Sequence, residues 1–256
     1  NILIAPSDHL ITNGQEFKRI CQLALQAASQ SNNLFTLGIK PHRPDTGYGY
    51  IQYINQKEQG LNEEIKVVKT FTEKPNAELA QQFLDSGDFL WNSGIFIWSL
   101  TAFKQELKEH QPELYDTFEE GASHFGGPKE ADFVKEIYPT CENESIDYGL
   151  MEKSDKVFVI PADFGWSDLG TWGSLYEHKT LDENENALIG KKIISYDSTK
   201  NVVRIDDEKV AVIEGLDNYI VIDTKEALLI CRKDNEQLIK SFVSDVKLSF
   251  GDKSGI

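Results

Sequence analysis

The sequence predicts an α/β domain followed by a small β-rich domain, and three observations carry that expectation. Two apolar runs, Asn1 to Pro6 and Leu34 to Ile39, flank a stretch of helical periodicity, an order that implies parallel strands in an α/β sheet. Past residue 186 the pattern changes to short β-rich runs at roughly ten-residue spacing, separated by Asp, Asn or Gly. Between the two patterns, Leu181 to Asn186 is polar and acidic, which sets the domains at 1–180 and 187–256.

The elements follow in order. Asn13 and Glu16 form a capping box for a helix in which Phe17, Ile20, Cys21, Ala24, Ala27 and Ala28 recur to about Gln30. A loop rich in Pro and Gly, Pro41 to Tyr50, leads towards a strand from Ile65 to Phe71. Asn76 caps a helix that runs to Ser86 and stops at Gly87. Asn92-Ser93-Gly94 opens a strand over Ile95 to Trp98. Helices are expected at Thr101 to Lys108, Glu113 to Glu120 and Lys129 to Glu136, and Ser145 caps another from Ile146 to Lys153. Val157 to Ile160 is the last strand of this domain and delivers Pro161 to Asp168. The β-rich runs are Val202 to Ile205, Val210 to Ile213, Tyr219 to Ile222 and Ala227 to Cys231, closed by a helix from Asn235 to Val246. Their spacing suits a solenoid, although the coils are too dissimilar to define a repeat.

Bulk properties exclude several functions. A net charge of −16 repels a phosphate backbone, so nucleic acid is not an expected partner. No apolar window is long enough to span a membrane, and Asn1 to Ala5 has no secretory pattern. Cys21, Cys141 and Cys231 lie far apart in apolar contexts, as reduced cysteines of a cytoplasmic protein do. The five histidines show no zinc spacing. A start at Asn1, inside a strand-like run and without Met, reads as a fragment.

Asp8 and Asp168 stand at strand ends, where ligands gather in such sheets. Mg²⁺ takes one or two carboxylates with water and phosphate, so the pair suits that ion; either Asp alone also suits a turn or cap. Gly47-Tyr48-Gly49-Tyr50 offers close backbone approach beside aromatic faces, or a tight turn with packed tyrosines. Glu73-Lys74 places an acceptor for hydroxyls beside a compact cation for phosphate, or is a solvated surface pair. Asn92 sits beside Trp91, where a buried amide must be hydrogen-bonded by protein or ligand.

Together the motifs resemble the mannose-1-phosphate guanylyltransferase family. The likeness rests on Pro6 to Ile11, Thr36 to Pro41 and Arg43 to Ile51. It continues through Phe71 to Pro75, Leu90 to Phe96, Ser145 to Lys153 and Pro161 to Trp172, so it covers almost the whole chain. The resemblance implies a Rossmann-like nucleotidyltransferase fold, N-terminally incomplete, with a small left-handed β-helix. It implies an enzyme that joins GTP and mannose 1-phosphate into GDP-mannose and pyrophosphate with Mg²⁺. Asp8 and Asp168 match the metal ligands; Gly47, Tyr48, Gly49, Glu73, Lys74 and Asn92 match residues around the sugar phosphate. Lys74 joins the two aspartates as a catalytic expectation.

The family's glycine-rich nucleotide loop, which precedes the Pro-Ser-Asp-His motif, has no counterpart in this sequence, and neither does the cupin of bifunctional relatives. A chain truly truncated at Asn1 is therefore expected to be inactive. Base preference and the choice of hexose rest on the resemblance alone. A non-catalytic sugar-nucleotide-binding homologue, or a transferase for another hexose 1-phosphate, are the alternatives; the β-domain leaves room for a homodimer.

Overall fold

The computed structural model describes residues 1–55 and 60–251. The chain divides into two units, one of Asn1–Ser7 with Ile11–Trp166 and one of Asp8–Leu10 with the residues from Ser167 onward. The strands up to that division are β1 (Ile2–Ile4), β2 (Leu10–Ile11), β3 (Leu34–Ile39), β4 (Tyr50–Ile54), β5 (Lys66–Thr72), β6 (Phe89–Trp98), β7 (Val157–Ala162) and β8 (Trp166–Ser167). β2 and β8 pair with each other, and the other six form one sheet in the order β1-β6-β3-β7-β5-β4. β1 and β3 run parallel as the strand–helix–strand reading requires, but antiparallel β6 lies between them. β3 and β7 are adjacent and parallel.

Alternation along the central strands fills both faces of the sheet. Phe35, Leu37, Ile95, Ile97, Phe158 and Ile160 face one apolar cluster; Leu34, Phe96, Trp98, Val157 and Val159 face the other. Helix α1 (Gly14–Gln30) covers the first cluster with Ile20, Cys21, Ala24, Ala27 and Ala28. The Asn13 side chain caps it by accepting from Glu16 N–H at 3.1 Å. The reciprocal half of the expected capping box is missing. Asn13 N–H donates instead to the Phe164 carbonyl at 3.0 Å, and the Glu16 carboxylate binds Arg19, a charged and therefore stronger partner.

Helix α2 (Ala77–Ser86) is capped by Asn76 and stops at Gly87, as the sequence predicts. Helices α3 (Leu100–His110), α4 (Pro112–Glu120) and α5 (Glu130–Ile137) follow within two residues of their expected limits. Two segments differ. Asn92-Ser93-Gly94 does not open a strand; it sits inside β6, where the pairing with β3 shifts between Thr36 and Gly38. Gly94 takes φ +69°, a left-handed value that β-bulges use glycine to reach. The segment from Ile146 to Lys153 forms a π-helical turn over Asp147–Met151 rather than an α-helix.

The second unit contains helix α6 (Trp172–His178), not foreseen from sequence, and strands β9 (Ala187–Ile189), β10 (Ile193–Tyr196), β11 (Val202–Arg204), β12 (Ala211–Glu214), β13 (Tyr219–Asp223) and β14 (Leu228–Arg232). β9, β11 and β13 stack in parallel register, Ala187 on Val202 on Ile220, while β10 and β12 pair in parallel. Successive coils are 15 residues (187 to 202) and 18 residues (202 to 220) long, which gives a β-helix-like stack of unequal coils. Antiparallel β14 follows β13 at the end of the stack. Asn186 and Asn201 are fully buried in it and bonded to each other at 2.9 Å. The last helix, α7 (Ile239–Phe250), starts later than the sequence suggests because Lys233–Leu238 is a 3₁₀ segment. No helix among the described residues is long and apolar enough to cross a membrane. The three cysteines are free.

Candidate functional site

In the first unit, β4, β5, β6 and the π-helical turn bring most of the sequence-predicted residues together. The centre is Gly49. Its carbonyl accepts from Asn92 N–H at 2.8 Å, and a Cβ placed on it would strike the Glu73 carboxylate and press on Asn92 Cβ. Glycine leaves room for those two side chains to converge, and a larger residue would have to displace the Glu73 carboxylate. Glu73 is 9% exposed at its side chain and pairs with Lys74 at 2.9 Å, whereas Lys74 is 54% exposed. Glu73 N–H donates to Glu152 Oε1 at 3.0 Å, which ties the end of β5 to the segment after the π-turn. Lys74 has φ +47°, a conformation that costs non-glycine residues on the order of 1 kcal/mol and that clusters at functional sites.

The β6 bulge presents Asn92. Its amide oxygen accepts from the Thr36 hydroxyl and from Gly94 N–H, each at 3.2 Å, and its nitrogen donates to Asp147 Oδ1 at 2.8 Å. Burial pushes the Glu73 carboxyl above its ordinary range, with Asp147 and Glu152 adding to the effect and Lys74 opposing it. Burial also raises Asp147, against the Asn92 bond and the Lys74 charge. The Glu73 bond raises Lys74 and keeps it charged. Half-buried carboxylates thus outnumber the nearby ammonium. Such carboxylates can accept from hydroxyl groups, and the accessible ammonium can pair with an anion.

The loop from Pro41 to Tyr50 is held by Asp45, which is 5% exposed. Its Oδ2 accepts from Arg43 Nε at 3.1 Å and Nη2 at 3.0 Å, its Oδ1 from Gly47 N–H at 2.8 Å, and its carbonyl from the Tyr50 hydroxyl at 2.9 Å. Of the two readings of Tyr48, packing describes its ring: it lies edge-on to Trp91 at 4.9 Å and Trp166 at 5.3 Å. What the Gly47–Gly49 segment offers is therefore backbone. Tyr50 is wholly buried.

Asp8 and Asp168 both fall in the second unit. Asp8 is exposed and Asp168 partly buried. Asp168 Oδ1 accepts from Gly170 N–H at 2.9 Å, and the Ser167 hydroxyl accepts from Leu169 N–H at 3.2 Å. Leu169 is held at φ +51°, an uncommon value for a bulky residue, so this short loop is constrained around its carboxylate. Each carboxylate is a hard-oxygen donor of the kind that Mg²⁺ takes. Three ligating groups gather elsewhere, as Glu106, Glu109 and His110 of α3, but Glu106 is already bonded to Ser154 and Lys156 at 2.6 Å each. A cavity of about 620 Å³ lies by α3, α4 and residues 140–150, and none of the sequence-predicted residues lines it.

Asp45, Asp147 and Glu152 are the residues that sequence reasoning missed. All three lie inside the motifs that carried the resemblance, and that was the available signal. Their significance comes from the partners that the fold supplies.

Known proteins resemble the chain along nearly all of its length. Residues 1–185 match the family described as nucleotidyl transferase, and residues 191–246 match the mannose-phosphate isomerase/GMP-like β-helix domain. The xanthan biosynthesis protein XanB of Xanthomonas campestris pv. campestris is 36% identical over 249 residues, 96% of this chain and 51% of that protein. The mannose-1-phosphate guanylyltransferase of Escherichia coli is 33% identical over 251 residues, 97% of this chain and 53% of that enzyme. The chain thus spans about half the length of the curated relatives it matches. Among solved structures, a Thermus thermophilus protein described as a mannose-1-phosphate geranyltransferase superposes with a TM-score of 0.79 at 26% identity, covering 96% of this chain and 69% of that one. With the family match covering residues 1–185 of 256, the chain belongs to the nucleotidyl transferase family.

Proposed function

We propose that the protein carrying this chain joins GTP and mannose 1-phosphate, releasing pyrophosphate and forming GDP-mannose. The observation that carries this reading is the convergence of Glu73, Lys74, Asn92 and Asp147 around Gly49, a group suited to a phosphorylated polyol. The guanylyltransferase named among its relatives supports the choice of substrates.

Lys74 anchors the sugar phosphate, and its accessible ammonium keeps its charge at neutral pH. Glu73 and Asn92 bind hexose hydroxyls, while the backbone of Gly47, Tyr48 and Gly49 lets the sugar approach closely. Asp8 and Asp168 would hold Mg²⁺, an ion that when bound offsets charge on phosphate oxygens. The attacking phosphate oxygen is already ionised at neutral pH, so the protein's work is positioning and charge neutralisation and no general base is required. Free cysteines fit a reducing, cytoplasmic setting, and the charge of −16 disfavours nucleic acid.

The test is pyrophosphate release by the whole protein from GTP with mannose 1-phosphate, compared with GTP alone. Release that depends on the sugar phosphate is expected. Binding of GDP-mannose without any turnover would instead identify a regulatory homologue, and equal turnover of glucose 1-phosphate would remove mannose from the assignment. Asp168→Ala is expected to slow turnover at least about a hundredfold, since about 1.4 kcal/mol of lost transition-state stabilisation is a factor of ten. Near-normal turnover of that variant at saturating Mg²⁺ would rule out the metal role.

A further inference from the structure

The hydrogen-bond inventory of Asn92 is almost closed. A side-chain amide has two acceptor lone pairs and two N–H donors. Gly94 N–H donates to the oxygen, the Thr36 hydroxyl shares its single hydrogen between that oxygen and the Ile95 carbonyl, and Asp147 takes one hydrogen of the nitrogen. One N–H is left with no bond to a described residue. Gly94 N–H can only donate and the Asp147 carboxylate accepts, so these two partners fix which end of the amide faces which.

Asp147 is itself placed by an uncommon piece of backbone. It begins the π-helical turn Asp147–Met151, and π-turns, though rare, are frequent at functional sites. The turn is fastened on both sides: Gly149 N–H donates to the Ser145 carbonyl at 2.8 Å, and Glu152 N–H to the Asp147 carbonyl at 2.9 Å. Glu152 in turn receives Glu73 N–H, so one segment fixes both the Asn92 amide and the end of β5 that carries Glu73.

We infer that Asp147 is a positioning residue that makes Asn92 a one-hydrogen donor to the sugar phosphate, opposite the acceptor carboxylate of Glu73. The inference rests on the proposed sugar-phosphate site. A hexose hydroxyl beside Gly49 then receives from Asn92 and donates to Glu73. An epimer or deoxy sugar leaves both groups unpaired, and sites built to bond a hydroxyl reject such analogues strongly. Asp147 therefore controls hexose selectivity without needing to touch the reacting phosphorus.

The experiment is steady-state pyrophosphate release by the whole protein, with KM resolved for each substrate, on wild type, Asp147→Ala and Asp147→Asn. Asparagine keeps a carbonyl oxygen that can accept from Asn92, whereas alanine leaves the amide loose. For Asp147→Ala, KM for mannose 1-phosphate is expected to rise about tenfold. KM for GTP should stay within about twofold and selectivity over glucose 1-phosphate should fall, with Asp147→Asn recovering most of both. Unchanged KM for mannose 1-phosphate in Asp147→Ala would overturn the inference. So would equal loss for both substrates with a lowered Tm, which marks a purely structural role, or an asparagine variant as impaired as alanine. Should wild type show no turnover, the underlying reading falls. The inference is then decided by the Kd for mannose 1-phosphate, which must weaken in Asp147→Ala and recover in Asp147→Asn.

Discussion

Glu73 carries a charge that its surroundings resist. Burial, reinforced by Asp147 and Glu152, raises its pKa in the folded protein, and burial does the same to Asp147. The folded state thus keeps protons there that the unfolded chain releases. Their stabilising effect is complete below the ordinary carboxylate pKa and is lost as pH climbs through the raised values. Glu73→Gln removes one of these groups at nearly constant shape. Its cost is limited, because Lys74 is half exposed and an ion pair with such a partner contributes little. Relative to wild type, the Tm of Glu73→Gln should improve as pH rises from the ordinary carboxylate value of about 4 through the raised one and then level off, while affinity for mannose 1-phosphate falls. A Tm difference that does not change with pH would show that the carboxylate carries no such penalty. Sequence reading singled out Glu73 and Lys74 because adjacent functional groups at a strand end are visible in one dimension, and Asn92 because an amide beside Trp91 is. It did not reach Asp45 or Asp147, whose roles exist only through partners 2 and 55 residues away in sequence.

Elements were legible where a local cap or period defined them. Asn13, Asn76 and Gly87 mark helix ends from sequence, and the structure keeps all three. The bulge in β6 was not legible, because Asn-Ser-Gly signals a turn locally and only pairing with β3 and β4 holds it within a strand. The ten-residue spacing of the second unit was seen but had no evident meaning. It counts strands of two alternating sheets, and coils of 15 and 18 residues hide the repeat. What unifies the unequal coils is a polar ladder. Asn201 donates to Asn186 Oδ1 at 2.9 Å and to the Leu216 carbonyl at 2.8 Å, and accepts from Tyr219 N–H at 2.8 Å. Asn201→Ala leaves Tyr219 N–H unpaired in a dry interior and takes one bond each from Asn186 Oδ1 and the Leu216 carbonyl, which keep those from the backbone N–H of residue 201 and from Thr199, so it is expected to destabilise the unit by on the order of 2 kcal/mol. Asn184→Ala, at an exposed position, should change stability by less than about 0.5 kcal/mol. Chemical denaturation of the two variants compares them directly, and equal effects would remove the ladder from the account of this fold.

At the scale of the molecule, the α/β class and the later β-stack were readable because periodicity changes once along the chain. Strand order was not, since β6 enters between β1 and β3 from a distant stretch of sequence. Net charge is the other whole-molecule property, and its sign bears on catalysis. Forty-two acidic residues against twenty-six basic ones create a field that repels a sugar phosphate dianion, while Lys74 attracts it only at short range. The Debye length falls from about 30 Å at 0.01 M salt to about 8 Å at 0.15 M, so added salt screens the distant carboxylates more than the contact at Lys74. At fixed Mg²⁺, kcat/KM for mannose 1-phosphate should therefore rise severalfold between about 10 and 150 mM monovalent salt, with kcat unchanged. Lys74→Gln should raise KM at every salt concentration and keep the same upward slope. A kcat/KM that falls with salt in the wild type would mean that the field at the site is attractive despite the global charge, and would place control of substrate capture at the site's own cations.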